Sequence, residues 1–368
     1  MRELDRGAAA RIAALALVVL LAGCAAGPDP STPTPGDIVV AGVGDEIVLL
    51  DCATVVPVTG AAEVLGVRAD ELAAQWSTDG TTVPATATVS EMMAAEALRS
   101  AGHYECRYAL AAGATGGPAV SVSMLPDAAA EFARVQSDSN DGLNNMLPAD
   151  VGDQAFTGCR GGEWQGCRAE ILVGTTWLSI SVGTPEPDPA ALLAYARTVT
   201  DSVASLKLAR PAGPTRPECG YLLSPHDLTT SAGLNDPSGV DALDLGEPGS
   251  LAVAGQIRGG LVSCAWSTEA GSPGVALMIL PGRGSWTAMP PGVAVSTAAL
   301  DPIDLSAESG ARWPASGVQA LAGCSGDGCT VTLLADGVWL TVTAAGATDS
   351  SSATALAVAA YARYVDAV

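Results

Sequence analysis

The feature that most constrains this chain is a stretch that occurs twice. Cys167-Arg-Ala-Glu-Ile-Leu-Val-Gly-Thr-Thr-Trp177 returns as Cys329-Thr-Val-Thr-Leu-Leu-Ala-Asp-Gly-Val-Trp339, with the cysteine and the tryptophan ten residues apart in both copies. A second cysteine precedes each copy, and Ala-Tyr-Ala-Arg follows at 194–197 and again at 360–363. Because the landmarks keep their order, we predict an internal duplication. The length of 368 residues agrees with two domains.

Local patterns predict strands and helices in both copies. Alternating, β-branched segments predict a strand or hairpin at 38–50, hairpins of 104–110 with 119–125 and of 261–267 with 274–280, and further hairpin turns at Gly174-Thr175 and Asp336-Gly337.

Helix signals predict helices at 61–76 with a break near Gly66, at 90–99 with Ser90 as N-cap, at 126–135 from Pro126, from Asp188-Pro189 onward, and at 350–368. We expect Trp177 and Trp339 to pack in the core rather than to stack on a ligand.

These elements predict an α+β fold with two tandem repeats, each an antiparallel sheet packed by helices and held by two disulfides. The boundaries follow from composition: a signal peptide at 1–23, a Pro/Ser/Thr tether at 24–37, a first domain at 38–208, a Pro-rich linker at 209–217 and a second domain at 218–368. Since pockets favour domain interfaces, we expect a ligand site in the cleft between the domains.

The N-terminus carries a targeting signal. Three arginines precede an unbroken apolar run of eleven residues at 12–22. As a helix this run reaches ~16 Å, which is too short for a hydrocarbon core of ~30 Å and is typical of a secretory signal. The closing Leu21-Ala-Gly-Cys24 resembles the lipobox of bacterial lipoproteins. The resemblance implies that Cys24 receives diacylglycerol and palmitate and becomes the mature N-terminus; an ordinary secreted protein is the alternative.

The cysteine count predicts a disulfide framework. Nine cysteines less the lipidated Cys24 leave eight, an even number that suits an oxidising compartment. In each copy two widely spaced cysteines precede two close ones, so we predict four pairs: Cys52–Cys106, Cys159–Cys167, Cys219–Cys264 and Cys324–Cys329. The sequence has no second Cys or His pair that would complete a zinc site, and no Cys-x-x-Cys. We therefore expect no metal and no cofactor.

The charge balance excludes one class of partner. The chain has 17 Lys and Arg against 39 Asp and Glu, a net charge of -22. Binding to nucleic acid requires a basic face that neutralises phosphates, so we expect no nucleic-acid partner. The acidic excess favours solubility.

Catalytic motifs are weak in this sequence. A Ser224, His226 and Asp227 triad can be drawn, yet the sequence has no Gly-x-Ser-x-Gly elbow. Residues 138–142 are similar to a calcium loop but lack its closing glutamate, since Ala149 stands there. We name no catalytic residue and expect that the protein is not an enzyme. Two alternatives stay open: a cell-wall hydrolase that uses carboxylates such as Glu163 or Asp153, and a structural spacer.

The second copy carries a family resemblance over residues 217–368. Its opening Cys219-Gly-Tyr-Leu-Leu and its later Cys264-Ala-Trp266 resemble a domain of unknown function in actinobacterial lipoproteins, and more loosely the extracellular sensor domains of actinobacterial receptor kinases. The first copy fits less well, because Tyr108 replaces the tryptophan. The resemblance implies an α+β domain on the outer face of the membrane and no catalytic residues.

Together these features predict a lipoprotein of the cell membrane, lipid-anchored on its extracytoplasmic face, with a binding or sensing role. Its expected partners are the membrane, through the N-terminal lipid, and an envelope protein or a cell-wall ligand. Because the repeated hairpin is predicted to be scaffold, we expect function to lie where the copies differ, chiefly at 53–100 and 233–260.

Overall fold

Two antiparallel sheets of seven strands each form the framework of the molecule. The computed structural model describes residues 52–76, 88–110, 117–137, 146–160, 166–184, 186–206, 216–235, 237–241, 250–267, 273–282, 300–306, 308 and 310–368. All of them belong to one compact unit. The predicted signal peptide, the lipidation site Cys24, the tether, the strand at 38–50, the turn at 138–142 and Glu163 lie outside the described residues.

The first sheet has the strand order β1-β2-β3-β7-β6-β5-β4. Its strands are β1 Leu72–Trp76, β2 Tyr104–Leu110, β3 Ala119–Leu125, β4 Leu147–Ala149, β5 Gln154–Arg160, β6 Gly166–Val173 and β7 Thr176–Gly183. The predicted pairing of β2 with β3 and the turn between β6 and β7 are confirmed. The hairpins on either side are joined where β3 pairs with β7, which brings together strands that are distant in sequence.

The second sheet repeats this order. Counted from β8 it runs β8-β9-β10-β14-β13-β12-β11. Its strands are β8 Ser238–Asp241, β9 Val262–Ser267, β10 Pro273–Leu280, β11 Asp301–Ile303, β12 Gln319–Ser325, β13 Gly328–Ala335 and β14 Val338–Ala345. Asp336 and Gly337 both have positive φ, as the two-residue turn between β13 and β14 requires. The α+β class with antiparallel sheets is confirmed.

The helices are mostly where helix signals placed them. They are α1 Cys52–Val55, α2 Val58–Leu65, α3 Val89–Ser100, α4 Ala129–Ser137, α5 Pro189–Ala204, α6 Cys219–Leu222, α7 Pro225–Ala232, α8 Leu251–Arg258 and α9 Ser351–Ala367, with a 3-10 turn at Ala69–Glu71. Asp188 is the N-cap of α5, as predicted, since its carboxylate accepts a hydrogen bond from the Ala190 amide.

Three predicted helix boundaries are wrong. The break expected near Gly66 is confirmed, since Gly66 takes a left-handed conformation, but the helix expected to continue to 76 is wrong, because 72–76 is the edge strand β1. The N-cap of α3 is Thr88 rather than Ser90, because Thr88 forms a capping box with Glu91. Pro126 precedes α4 by three residues instead of opening it. In the first two cases a strand pairing and a capping box override residue propensity. In the third, Asp127 has a positive φ, which is not a helical conformation.

Each sheet has one face that packs against helices from its own half of the chain. On the first sheet, Val122, Ile171 and Ile180 pack against residues of α1, α2 and α5. On the second sheet, Leu277, Val331 and Val342 pack against residues of α6, α7 and α9. The Ala-Tyr-Ala-Arg tyrosines take part in both cores, since Tyr195 and Tyr361 are buried. The repeated tetrapeptide is therefore a core element.

The opposite faces exchange helices between the two halves of the chain. Helix α3 packs Met92, Met93 and Ala97 against a cluster on the second sheet that contains Trp339. Helix α8, from the C-terminal half, packs Leu251 and Ala254 against a cluster on the first sheet that contains Trp177, Phe132 and Leu125. Each tryptophan is thus covered by a helix from the other half. Within the described residues this region is packed core, where we had expected an interdomain cleft.

The exchange brings α3 and α8 into very close contact. A Cβ atom added at Gly259 would lie 1.9 Å from the carbonyl oxygen of Ala97, and one added at Gly255 would lie 2.6 Å from Leu98 Cδ2. Only glycine fits at such an approach of two backbones. Next to this contact Arg258 donates to the carbonyl oxygens of Pro126 and Asp127 and forms an ion pair with Glu131.

All four predicted disulfides are present. Cys52–Cys106 and Cys219–Cys264 tie α1 and α6 to strands β2 and β9, and each closes a long loop. The short pairs are cross-strand bridges, since Cys159 is directly opposite Cys167, and Cys324 directly opposite Cys329. They fix the register of the β5/β6 and β12/β13 pairs. No helix in the described ranges is long and apolar enough to cross a membrane.

Candidate functional site

The face of the first sheet that carries Trp177 packs against α8. Further along the strands, away from the helices, the same face carries polar side chains. Side chains alternate along a strand, so residues directly opposite one another across strands share a face. The register places four such residues in one row across β2, β3, β7 and β6: Arg107, Ser121, Ser181 and Arg168. With strands about 4.8 Å apart, this row spans about 15 Å. Two guanidinium groups therefore flank two hydroxyls.

A second row lies beside the first on the same face. Two residues further along the same strands are Glu105, Ser123, Ser179 and Glu170. We call these eight residues the polar platform. Four serines form its centre, two arginines stand at the ends of one row, and two glutamates at the ends of the other. Its formal charge is zero, in a chain whose net charge is -22.

Exposure varies across the platform. Arg107 and Ser181 are exposed, and Ser121, Ser123 and Ser179 are half-buried. The Arg168 side chain is 39% exposed, whereas that of Glu170 is 1% exposed. Met146 borders the platform on the β5 side, because it packs over Gly158, the residue opposite Arg168. The first row therefore faces solvent, and the second is anchored in the core at Glu170.

Glu170 is the centre of a buried network. Its Oε2 accepts a hydrogen bond of 2.5 Å from the Trp177 indole, and its Oε1 accepts one of 2.8 Å from the Ser179 hydroxyl. The Arg168 Nε forms an ion pair with Oε1 and donates to the Ser179 hydroxyl at 3.2 Å. Arg168 is therefore held by two partners, and part of its guanidinium reaches the surface.

In the second sheet a neutral side chain serves as the hydrogen-bond acceptor for the buried indole. At the position equivalent to Glu170 stands Thr332, whose hydroxyl accepts a 2.9 Å hydrogen bond from the Trp339 indole. Thr341 donates to the same hydroxyl, and Thr332 donates to the Leu340 carbonyl. A neutral hydroxyl thus satisfies the buried indole. A carboxylate at this place is not needed for packing.

Burial has a cost for Glu170. Desolvation raises the pKa of this carboxyl, although Arg168, Ser179 and Trp177 act in the opposite direction. The fold therefore favours the neutral acid over the charged form, relative to an exposed glutamate. Since a neutral hydroxyl serves the indole in the second sheet, what Glu170 adds is its contact with Arg168 and Ser179.

The equivalent face of the second sheet has no charged residue in these rows. The first row there consists of Ala265, Ala276, Thr343 and Thr330, and the second of Ser263, Met278, Thr341 and Thr332. Thr330 and Thr343 bond to each other at 3.0 Å. The charged platform therefore distinguishes the first sheet from the second.

The other predicted candidates have structural roles or stand apart. Trp177 and Trp339 are fully buried, which confirms core packing. Ser224 and Asp227 bond to each other as the capping box of α7, and Asp227 pairs with Arg363, while His226 is exposed. A Ser-His-Asp relay is therefore not assembled.

The remaining histidine and Asp153 have structural surroundings, while Glu163 lies outside the described residues. His103 is buried where α8 meets the first sheet, and burial lowers its pKa to about 4, so the ring is neutral at pH 7. Asp153 accepts a hydrogen bond from the Gly174 amide in the turn between β6 and β7. Among the described residues, no three His, Cys, Asp or Glu side chains are grouped to hold a metal ion.

The platform lies entirely outside the two regions in which we expected function, 53–100 and 233–260. Its signal was present as alternation: Ser121 and Ser123 in one strand, and Ser179 and Ser181 in another. Only the pairing of β3 with β7 makes these serines neighbours.

Searches against protein-family models, curated proteins and solved structures found no match.

Proposed function

We propose that this protein is a lipid-anchored lipoprotein of the extracytoplasmic face of the membrane, that its two halves arose by duplication, and that it binds a ligand of the cell envelope through the polar platform. The observation that carries the binding role is the buried Glu170, which is replaced by a threonine in the second sheet and holds Arg168 beside a row of hydroxyls.

The disulfides support the proposed location on the extracytoplasmic side of the membrane. The eight cysteines that follow Cys24 pair with one another. Structural disulfides persist in oxidising compartments, which agrees with secretion. These four pairs use every cysteine of the described residues, and Cys24, which lies outside them, stands at the position that the lipobox requires.

Topology supports the duplication. Both sheets have the same strand order, and the left-handed Gly66 and Gly233 end equivalent helices α2 and α7. One copy in a duplicated chain can keep a structural role while the other acquires a ligand site. The asymmetry between the platform and its uncharged counterpart fits that division.

The anchor is tested by the mass of the N-terminal peptide of the chain produced in a bacterium that processes lipoproteins. We expect a diacylglycerol-modified Cys24 and recovery of the protein with the membrane. We expect the Cys24→Ser variant to lose the lipid and to leave the membrane fraction. An unmodified N-terminus on a membrane-free native protein would rule the anchor out.

The binding face is tested by photo-cross-linking in intact cells. Gly183 is exposed, lies at the end of β7 beside the platform, and has room for a side chain, because an added Cβ would meet only the Ala119 carbonyl oxygen, at 3.9 Å. Ala345 is the exposed, equivalent end of β14. p-Benzoylphenylalanine in place of Gly183 should give a cross-linked envelope product, and this product should disappear when Arg168→Ala is added. The same probe in place of Ala345 should give no such product. Equal products from both positions would remove the platform as the binding face.

A carboxylate hydrolase has less support from the described residues. Asp153 serves a turn, and Glu170 is already engaged by three side chains. A carboxylate in this bonding state is suited to orienting a neighbour rather than to exchanging protons with a substrate.

A further inference from the structure

We propose that the ligand of the polar platform is an anionic polyol, that is, a polyhydroxylated molecule that carries a carboxylate or a phosphate. This inference rests on the proposed binding function and adds the class of ligand. It follows from which groups the platform presents, and in what order.

The arginines select the anion. A guanidinium group binds carboxylate and phosphate through two parallel hydrogen bonds, and lysine cannot reproduce this planar geometry. Arg107 is exposed at one end of the first row, and Arg168 is 39% exposed at the other. Arg168 is also pre-oriented by Glu170 and Ser179, so less side-chain freedom is lost when an anion binds.

The serines select hydroxyl groups. Ser121 and Ser181 are directly opposite each other between the arginines, and Ser123 and Ser179 are directly opposite in the next row. Each hydroxyl can donate one hydrogen bond and accept others, which complements the hydroxyls of a polyol. The row of about 15 Å from Arg107 to Arg168 matches a molecule of two or three sugar or polyol units rather than a single small ion.

The net charge of the chain does not prevent an anion from binding at the platform. An anion approaching this chain meets a net charge of -22, but the platform itself is neutral. At physiological ionic strength charges are screened beyond about 8 Å, so local contacts decide binding. The equivalent rows of the second sheet offer hydroxyls without guanidinium groups, and they are not expected to retain an anion.

The test uses the full chain, purified in a detergent without sugar groups, and isothermal titration calorimetry. The probes are a glucuronic-acid trisaccharide, a glycerol phosphate trimer, a neutral glucose trisaccharide and inorganic phosphate. We expect one or both anionic polyols to bind, and the neutral sugar and the free phosphate to bind at least about tenfold more weakly, since each lacks one set of charged or neutral hydrogen bonds. The two anionic probes distinguish a carboxylate source from a phosphate source.

Three variants assign the interaction to the platform. Arg107→Ala and Arg168→Lys should each weaken binding of the anionic polyol about tenfold or more, the second because it keeps the charge but loses the planar fork. The control is Arg312→Ala, which removes an exposed arginine outside both sheets and should leave affinity unchanged. Equal loss in the control, equal binding of the neutral sugar, or equal binding of free phosphate would overturn the proposal.

The two proposals fail separately. A cross-link at position 183 that depends on Arg168, combined with no binding of either anionic polyol, would contradict the ligand class and leave the binding face standing. Absence of that cross-link would contradict the binding face itself.

Discussion

Single residues in this protein differ in how strongly we expect the fold to depend on them. Thr332 and Glu170 occupy equivalent strand positions and both accept a hydrogen bond from a buried indole. The threonine does so without a charge. The glutamate brings a desolvated carboxylate and a partner arginine, and buried ion pairs of this kind are often no better for stability than neutral groups.

The raised pKa of Glu170 predicts how its effect on stability depends on pH. Burial raises the folded-state pKa above the unfolded one, so at neutral pH ionisation of Glu170 disfavours folding, and this penalty is relieved as pH falls through the folded pKa. Glu170→Gln keeps an acceptor for the indole and removes the ionisation. Urea titrations at several pH values should show the Gln variant gaining most over the native chain at neutral pH and losing that advantage as the medium becomes acidic. An advantage that grows on acidification would contradict the raised pKa.

Arg258 is a residue of the opposite kind. Its side chain is 1% exposed and crosses from α8 to the first half, where it donates to two carbonyls and to Glu131. Removing one partner of a buried pair leaves the other charge uncompensated, so Arg258→Ala should lower the free energy of unfolding by about 3 to 5 kcal/mol. Arg68→Ala, which breaks an ion pair whose side chains are 75% and 65% exposed, is the matched control and should cause no measurable change. A similar result for both variants would mean that Arg258 does not link the halves.

At the scale of elements, the contact between α3 and α8 depends on backbone proximity. A Cβ at Gly259 would overlap the Ala97 carbonyl oxygen at 1.9 Å, so Gly259→Ala must push the helices apart. Overpacking of this kind costs about 1 to 3 kcal/mol or more, which a shift of the urea midpoint would report. Gly220→Ala is the control, because that glycine is helical and nothing lies within 4 Å of the added atom. Its midpoint should stay or rise slightly; an equal loss in both variants would refute the close contact.

We expect the disulfides that close long loops to stabilise the fold more than those that close short loops. The bridges Cys52–Cys106 and Cys219–Cys264 span 54 and 45 residues, and the cross-strand bridges span 8 and 5. In the chain-entropy model the long bridges contribute ~4 kcal/mol each and the short ones ~2 kcal/mol. Replacing both cysteines of one bridge by alanine and measuring the unfolding free energy tests this order. A larger loss from the pair Cys324 and Cys329 than from Cys52 and Cys106 would contradict it.

Sequence patterns predicted the hairpins and most helices because their signals are local. Asp336-Gly337 requires no partner to favour a turn, and Asp188-Pro189 opens a helix by its own chemistry. The strand 72–76 was missed because Leu-Ala-Ala-Gln-Trp favours helix and becomes a strand only by pairing with β2. The platform was missed for a similar reason: β3 and β7 are separated by more than fifty residues in sequence, and the order in which strands meet is not a local property.

At the scale of the whole molecule, the exchange of α3 and α8 makes the two halves depend on each other. In each sheet part of the cover over the tryptophan comes from a helix of the other half, and Phe132 of α4 adds to the cover over Trp177 from its own half. The two tandem domains expected from the sequence are better described, within the described residues, as two interlocked sheets. The linker between them is therefore not the main connection.

Interlocking predicts a single unfolding transition. Calorimetry on the disulfide-intact chain should give one peak whose calorimetric and van't Hoff enthalpies agree, because unfolding of either half removes a helix that covers a buried cluster on the other sheet. Two resolved transitions would show that the halves are independent, and the helix exchange would then contribute little to stability.

The measurement that most directly tests the role of the platform is a paired assay on Glu170→Thr, which copies the second sheet into the first. Its two readouts are the urea midpoint and the yield of the cross-link from p-benzoylphenylalanine in place of Gly183. If Glu170 is kept for positioning Arg168, the midpoint will equal or exceed that of the native chain and the cross-link will be lost. A lowered midpoint with an undiminished cross-link would show instead that Glu170 serves the fold and that binding does not depend on its positioning of Arg168.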